Sequence, residues 1–146
     1  MSQSNQQIYI ENFLHRCREI GLNITPQRMA IYKALLNDDS HPNPEAIYQS
    51  ITPEYPTISM ATVYKTLETF ARYGIISMVT TLHNTVRYDP ITKRHHHIVC
   101  VRCKKVIDLL DQDLDSIKIP NKIKKNNQLI NYSVHFNVIC PECKGK

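Results

Sequence analysis

Apolar residues in the first half of the chain recur at the spacing of an α-helix. Phe13, Cys17 and Ile20 follow this period in the first such stretch, and Gly21 is placed to end it. Three further stretches each begin with a residue that can cap a helix, and two of them then have proline at the first helical position. The caps are Thr25 (before Pro26), Asn43 (before Pro44) and Ser59. The pattern predicts four helices before about Gly74.

The residues after Gly74 change to a strand-like pattern. The runs IISMVTT and TVRYD are rich in residues that favour strands and are joined by LHN, which predicts a hairpin. Several short helices followed by a two-stranded hairpin is the element order of a winged helix, in which the helix before the hairpin enters the major groove of DNA. The helix from Ser59 to Tyr73 is therefore the candidate recognition helix.

The outward face of this helix carries short polar side chains. With the apolar stripe turned inward, the residues expected to face outward are Ser59, Thr62, Lys65, Thr66 and Thr69, with Tyr64 at the edge. Hydroxyl, ammonium and phenol groups of this kind can contact phosphates and base edges, so Ser59, Thr62, Tyr64 and Lys65 are the candidate DNA-contacting residues. The alternative is an ordinary solvated helix face.

A second domain is predicted from Asp89-Pro90 onward. HHHIVCVRC, KKVIDLL and LINYSVHFNVIC are strand-like, and the polar stretch between the last two is expected to be helical in part. The predicted organisation is an α+β chain with a winged-helix domain over 1–88 and a second domain over 89–146, with a hinge at 89–94.

Composition bears on where the protein is located and what it can bind. The chain has 146 residues, of which 42% are hydrophobic, and it contains no apolar run near the ~18 residues that cross a membrane. The polar N-terminus lacks the features of a secretory signal, so a cytoplasmic protein without membrane contact is expected. The net charge of +5 is compatible with nucleic-acid binding but does not indicate it by itself.

Four of the five cysteines form two Cys-x-x-Cys pairs. Cys100 and Cys103 make one pair and Cys140 and Cys143 the other, which is the spacing of a tetrathiolate Zn²⁺ site with no open position. Such a site would hold the last strand onto the middle of the second domain. Two disulfides or four independent thiols are the alternatives. Cys17 lies on the apolar face of the first helix and is expected to be buried.

Three consecutive histidines precede the first pair. Because side chains alternate across a strand, His95 and His97 share one face and His96 takes the other. Asp89 and Asp108 are near in sequence, and imidazole with carboxylate suits Fe²⁺ or Mn²⁺ as well as Zn²⁺. The alternative is that the histidines lie incidentally on a solvated strand.

Together these motifs resemble the ferric uptake regulator (Fur) family of bacterial metal-dependent repressors, over about Ile8 to Cys143. The matching segments are TPQR, HPNPEAIY, ISMATVYKTL, YDP, HHHIVCVRCKKVIDL and CPEC. The resemblance implies a winged-helix DNA-binding domain and an α/β dimerisation domain. It also implies a homodimer that binds palindromic double-stranded operator DNA when metal is bound, and neither enzymatic activity nor a small organic substrate.

The resemblance also assigns two metal sites. It implies structural zinc on the four paired cysteines and a regulatory Fe²⁺ or Mn²⁺ held by both domains, which would fix the angle between them. The implied regulatory ligands are His41, Asp89, His95, His97 and Asp108. Aspartate at 108, where iron-sensing relatives usually carry glutamate, favours the peroxide-sensing branch, with oxidation of His41 or His95. An iron- or zinc-responsive uptake repressor is the alternative.

Some positions depart from the family pattern. Lys65 stands where arginine or asparagine is frequent, and Pro120 is expected to split or shorten a helix. Tyr132 replaces an expected histidine, so no third metal site is predicted, and His83, His96 and His135 are expected at the surface.

Two other classes of protein explain less of the sequence. A zinc hydrolase or deaminase lacks its His-x-Glu motif here. A zinc-ribbon interaction module leaves the helical half unexplained.

Overall fold

The computed structural model describes residues 2–80, 86–93, 95–129 and 132–146. The predicted LHN turn with His83, and Arg94 of the predicted hinge, lie outside these ranges. The chain forms two units, Met1–Thr92 and Lys93–Lys146.

Four helices form the first part of unit 1, and each begins at a side-chain cap. Ser2, Thr25, Asn43 and Ser59 each accept a hydrogen bond from a backbone N–H in the first turn, which confirms the three predicted caps. The helices are α1 (Gln3–Glu19), α2 (Pro26–Leu36), α3 (Pro44–Ile51) and α4 (Met60–Arg72).

A two-stranded antiparallel hairpin follows α4. Strand β1 (Ser77–Thr80) pairs with β2 (Val86–Asp89), with Ser77 opposite Asp89 and Thr80 opposite Val86. Helices followed by this hairpin make the predicted winged-helix order. Asp89, predicted to begin the second domain, is the last residue of β2 in unit 1.

The core of unit 1 is built around stacked aromatic rings. Phe13 stacks on Tyr32 with ring centroids 4.1 Å apart, and Phe70 meets both rings edge-on. Cys17 is 1% exposed, as predicted, and burial raises the pKa of its thiol. Thr66, expected to face outward, is buried. Thr66 lies three positions after the buried Val63, which is about one helical turn, so its side chain points to the same inward face of α4.

Unit 2 is a small three-stranded sheet in the order β4-β3-β5. Strand β3 (His96–Cys100) is antiparallel to β4 (Val106–Leu109) and parallel to β5 (His135–Val138). Three one-turn helices accompany it, α5 (Gln112–Asp115), α6 (Asn121–Lys125) and α7 (Pro141–Lys144). Pro120 immediately precedes α6, and the helical region is split as predicted.

Unit 2 buries few apolar side chains. Among its described residues, the buried hydrophobic ones are Val99, Cys100, Val106 and Cys140. Two of these four are cysteines of the predicted zinc site, so packing alone gives the unit a thin core.

Candidate metal centres and recognition helix

Two turns bring the four paired cysteines together within unit 2. Cys100 ends β3, and the turn after it is closed by hydrogen bonds from the Lys104 N–H to the Cys100 carbonyl (3.0 Å) and from the Cys100 N–H to the Lys105 carbonyl (3.0 Å). Lys104 has a φ of 66°, the left-handed conformation that turns the chain back. Cys140 stands at the start of α7, which brings Cys143 round on the next turn. The four Sγ atoms lie within 4.8 Å of one another.

The spacing of these sulfurs fits a tetrahedral ion. Ligands at the Zn–S distance of about 2.3 Å lie roughly 3.8 Å apart at tetrahedral angles, and the Sγ atoms of Cys103 and Cys140 are 3.7 Å apart. A disulfide needs an S–S distance of about 2.05 Å. Hydrogen bonds from backbone N–H groups, the Cys140 N–H first, lower the pKa of Cys100 to about 6. A hydrogen bond with the Cys140 thiol raises the pKa of Cys143 to about 12. The cluster therefore ionises fully only around a cation.

Arg102 ties the two cysteine turns to each other. Its Nη1 donates to the carbonyl oxygens of Cys143 (2.9 Å) and Lys146 (3.2 Å). No local pattern identifies this residue, because its partners lie 41 and 44 positions further along the chain.

A second cluster in unit 2 consists of two imidazoles and a carboxylate. His97 pairs in register with Asp108 across β3 and β4, and His95 lies one alternation earlier on the same face. The Nε2 atoms of His95 and His97 lie 3.2 and 3.3 Å from the same oxygen, Asp108 Oδ1. The histidine triplet thus places His95 and His97 together, as alternation predicts.

The hydrogen bond on the far side of His95 indicates what this cluster can bind. His95 Nδ1 lies 2.7 Å from the Lys93 carbonyl oxygen, which can accept a hydrogen bond but cannot donate one, so Nδ1 carries the proton. A neutral His95 therefore presents its Nε2 lone pair to Asp108, and two lone pairs at this distance require a proton or a metal ion between them. The donors are of the type that suits Fe²⁺, Mn²⁺ or Zn²⁺.

Unit 1 holds the other two predicted regulatory residues as a pair. His41 lies in the loop between α2 and α3, and Asp89 ends β2. His41 Nε2 is 3.0 Å from Asp89 Oδ2, and both side chains are buried. The other carboxylate oxygen, Oδ1, accepts the Ile91 N–H at 2.8 Å. Asp89 is thereby oriented toward the imidazole.

His96 is buried, and its expected surface position is wrong. It is 0% exposed, its Nδ1 accepts the Val134 N–H (3.0 Å), and its Nε2 lies 2.8 Å from Asp115 Oδ1. His96 itself is covered by Asp115 of α5 and by Val134 of the segment before β5, and not by solvent. The Tyr132 hydroxyl donates to the Leu114 carbonyl oxygen in the same region (2.6 Å).

His135 is also only partly exposed. Its ring lies 5.1 Å from that of His97, and burial, followed by the neighbouring histidines, lowers its pKa.

The four candidate DNA-contacting residues lie on the first two turns of α4. Ser59 Oγ caps the helix, accepting the Thr62 N–H at 3.1 Å, and lies 2.8 Å from Thr62 Oγ1. Tyr64 is 38% exposed and its hydroxyl donates to the Glu45 carboxylate. Lys65 is exposed. Glu45 was not identified from the sequence, since nothing local links it to α4.

Comparison with known proteins places the whole architecture in one family. The model of the ferric uptake regulator family matches residues 19–137. The chain belongs to the ferric uptake regulator family. It is a metal-responsive transcriptional repressor by family and not an enzyme.

Individual relatives include both peroxide and iron regulators. The peroxide-responsive repressor PerR of Staphylococcus epidermidis is 33% identical over 92% of this chain and 90% of its own length. The Campylobacter jejuni peroxide stress regulator is 30% identical, with a TM-score of 0.65 over 98% of this chain and 100% of that one. The Helicobacter pylori ferric uptake regulator Fur, described with three functional metal binding sites, is 26% identical, with a TM-score of 0.74 over 94% of this chain and 93% of that one. Within the residues that the structure of the present chain describes, no helix is long and apolar enough to span a membrane.

Proposed function

We propose that this chain is a peroxide-responsive repressor that binds palindromic operator DNA as a homodimer and releases it when its regulatory site is oxidised. The observation that carries the proposal is the His95–His97–Asp108 cluster, a set of nitrogen and oxygen donors built apart from the thiol cluster. The carboxylate of this cluster belongs to an aspartate, Asp108, as expected for the peroxide-sensing branch. The similarity to PerR and to a peroxide stress regulator supports the same reading.

The two donor sets suit different ions and different roles. We assign structural Zn²⁺ to Cys100, Cys103, Cys140 and Cys143, because four thiolates leave a tetrahedral ion no open position. We assign regulatory Fe²⁺ or Mn²⁺ to a joint ligand set. Its members are His41 of the DNA-binding domain, Asp89 of the hinge, and His95, His97 and Asp108 of the second domain.

A joint ligand set explains how metal controls DNA binding. With domains over 1–88 and 89–146 and a hinge at 89–94, an ion bound by both would fix the angle between them. In a dimer this sets the separation of two recognition helices, which must match half-sites about one helical turn (~34 Å) apart. Ser59, Thr62, Tyr64 and Lys65 would then contact phosphates and base edges.

The sheet of unit 2 provides a surface for a second copy. Ile107 and Phe136 both pair in register with Ile98, one on each side of it. They are 44% and 43% exposed, so one face of the sheet carries an apolar row across all three strands. Exposed apolar patches of this kind mark interaction surfaces, which supports dimerisation through this unit.

The position of the histidines explains how peroxide would release the operator DNA. Bound Fe²⁺ would supply the electron that reduces H₂O₂ and generate an oxidant beside its own ligands. His41 or His95 would gain one oxygen atom and become a poor ligand, which would free the hinge and release the operator. The zinc thiolates are protected because all four are bound to a redox-inert ion.

A second candidate is an iron- or zinc-responsive uptake repressor. The observation that favours it is the structural match to the Helicobacter pylori ferric uptake regulator. The donors of the His95 cluster suit either role.

Operator release and histidine oxidation test the proposal together. Binding sites are first selected from random duplex DNA with Mn²⁺-loaded protein, and binding is then compared for Fe²⁺- and Mn²⁺-loaded protein before and after mild peroxide. We expect the Fe²⁺ form alone to release DNA, and peptide mass spectrometry to show one added oxygen at His41 or His95. His15, which is exposed on α1, is the control for indiscriminate oxidation. Three outcomes would contradict peroxide sensing: oxidation confined to cysteines, oxidation of His15 equal to that of His41 or His95, or equal histidine oxidation in the Mn²⁺-loaded protein. Each would favour the iron- or zinc-responsive repressor instead.

A further inference from the structure

The loop that carries His41 (residues 37–42, the His41 loop) has an unusual backbone conformation. His41 has a φ of 57°, in the left-handed region that few residues other than glycine adopt. Such a conformation persists only where the surrounding structure holds it. In the proposed function the His41 side chain is a metal ligand, so glycine cannot replace it and other contacts must hold the backbone in this conformation.

Strand β2 provides these contacts. Arg87 Nη1 donates to two successive carbonyl oxygens of the loop, those of Ser40 (3.2 Å) and His41 (3.1 Å). The neighbouring Tyr88 N–H donates to the Pro42 carbonyl oxygen at 3.1 Å. Within the loop, Asp38 Oδ1 accepts the Ser40 N–H at 2.9 Å. The backbone is therefore fastened on both sides of the left-handed residue.

The same strand also meets the imidazole of His41. Arg87 and Asp89 are two residues apart on β2, so their side chains leave the same face of the strand. Arg87 contacts the carbonyl oxygen of His41 and Asp89 lies 3.0 Å from its Nε2. Backbone and ring of one residue are thus held by alternate residues of one strand, inside unit 1.

We propose that Arg87 is a positioning residue for the regulatory metal. Its guanidinium holds the His41 loop in the left-handed conformation, so that the imidazole already lies beside Asp89 when the ion arrives. This inference rests on the proposed function, in which His41 and Asp89 are ligands. A protein whose binding-competent conformation is fully populated binds with its intrinsic affinity, and each loss of population raises the apparent Kd in proportion.

Arginine suits this role better than lysine. One planar guanidinium group reaches two adjacent carbonyl oxygens in a fixed geometry, whereas an ammonium on a flexible stem loses more freedom for each hydrogen bond. Arg87→Lys should therefore keep part of the gain in metal affinity.

The test measures Mn²⁺ affinity of the full-length, zinc-loaded chain from the electron paramagnetic resonance signal of free Mn²⁺. Arg87→Gln should raise the Kd about tenfold, as expected if the competent loop falls to roughly a tenth of the population. Arg87→Lys should lie between Gln and the native residue. Arg18→Gln is the matched control, since Arg18 is exposed on α1 and the change removes the same charge. It should leave the Kd unchanged.

A double-mutant cycle with His41→Ala separates positioning from general stability. If Arg87 acts through His41, Arg87→Gln should add nothing to the Kd of the His41→Ala chain. Hydrogen exchange of the metal-free protein gives an independent readout. The Tyr88 amide and the amides of the His41 loop should exchange about tenfold faster in Arg87→Gln, with zinc content and melting temperature close to native.

The outcomes distinguish this inference from the proposed function. A native Kd for His41→Ala would overturn the ligand assignment itself. A weakened Kd for His41→Ala with a native Kd or native loop exchange for Arg87→Gln would overturn the positioning role alone. An equal loss of affinity from Arg87→Gln with and without His41 would show that Arg87 acts by another route and would also overturn it.

Discussion

Replacing Cys140 by serine should unfold unit 2 and leave unit 1 folded. Cys140 is 6% exposed, it begins α7, and its N–H donates to Cys100 Sγ at 3.4 Å. Serine keeps the size of the side chain but replaces a thiolate ligand by a hydroxyl that binds zinc poorly. The substitution therefore removes one corner of the cluster with little direct change in packing.

The expected loss of stability follows from comparing the apolar burial in unit 2 with the contribution of zinc. Full burial of Val99 and Val106, the other buried apolar residues described in unit 2, contributes only about 1.5–3 kcal/mol each. Structural zinc contributes on the order of 10–16 kcal/mol in small domains at neutral pH, which exceeds the net stability of most domains, about 5–15 kcal/mol. Losing most of the zinc contribution to the free energy of folding should leave the sheet of unit 2 unfolded. Unit 1 keeps its stacked aromatic core and needs no metal.

Hydrogen exchange of the full-length chain, read by mass spectrometry, with zinc content measured in parallel, provides the assay. In Cys140→Ser, peptides from β3, β4 and β5 should exchange at the rate of unfolded chain, while those from α2 and α4 stay protected. Cys17→Ala is the reciprocal control, because it should keep zinc and destabilise only unit 1, by roughly 1 kcal/mol. Native protection of β3 in a zinc-free Cys140→Ser protein would refute the reasoning, since packing would then hold the unit without metal.

Two further predictions concern buried and surface polar contacts. His96→Leu should lower the free energy of unfolding by roughly 2–3 kcal/mol in urea titrations, because the Val134 N–H and the Asp115 carboxylate lose their partner. A change below about 0.5 kcal/mol would instead fit a surface position. The hydrogen bond to Glu45 raises the pKa of Tyr64, which keeps the phenol neutral to higher pH. Glu45→Gln should therefore lower the pKa of Tyr64 toward its ordinary value of about 10. Absorbance titration of the tyrosines measures this pKa, with Tyr64→Phe identifying the contribution of Tyr64. An unchanged titration in Glu45→Gln would contradict the contact.

Features with a local cause could be predicted from the sequence. The caps of α2, α3 and α4 depend on one side chain and the first turn that follows it, so Thr25, Asn43 and Ser59 were identifiable. The two cysteine pairs were identifiable for the same reason, since each pair is one turn of chain. The shared face of His95 and His97 follows from strand alternation alone.

Features that depend on distant partners could not be predicted. Alternation places His96 opposite His95, but only the fold shows that α5 covers His96 and brings Asp115 to its imidazole. The prediction for Thr66 was wrong for a different reason: its polar side chain was expected outside, although its position three residues after Val63 places it on the inward face of α4. Arg87 reads as an ordinary strand residue until its partners, 46 and 47 positions earlier, are known.

The two candidate metal centres should differ in how the loss of an ion affects the fold of the protein. All four cysteines belong to unit 2, and two of them, Cys100 and Cys140, are half of its described buried hydrophobic residues. We therefore expect loss of zinc and loss of the fold to be one event. The histidine and aspartate groups are held differently. Each is positioned by contacts within its own unit: His41 by Arg87 and Asp89, and His95 by its hydrogen bond to the Lys93 carbonyl. We therefore expect a regulatory ion to leave without unfolding either group, which a switch requires and a structural site does not.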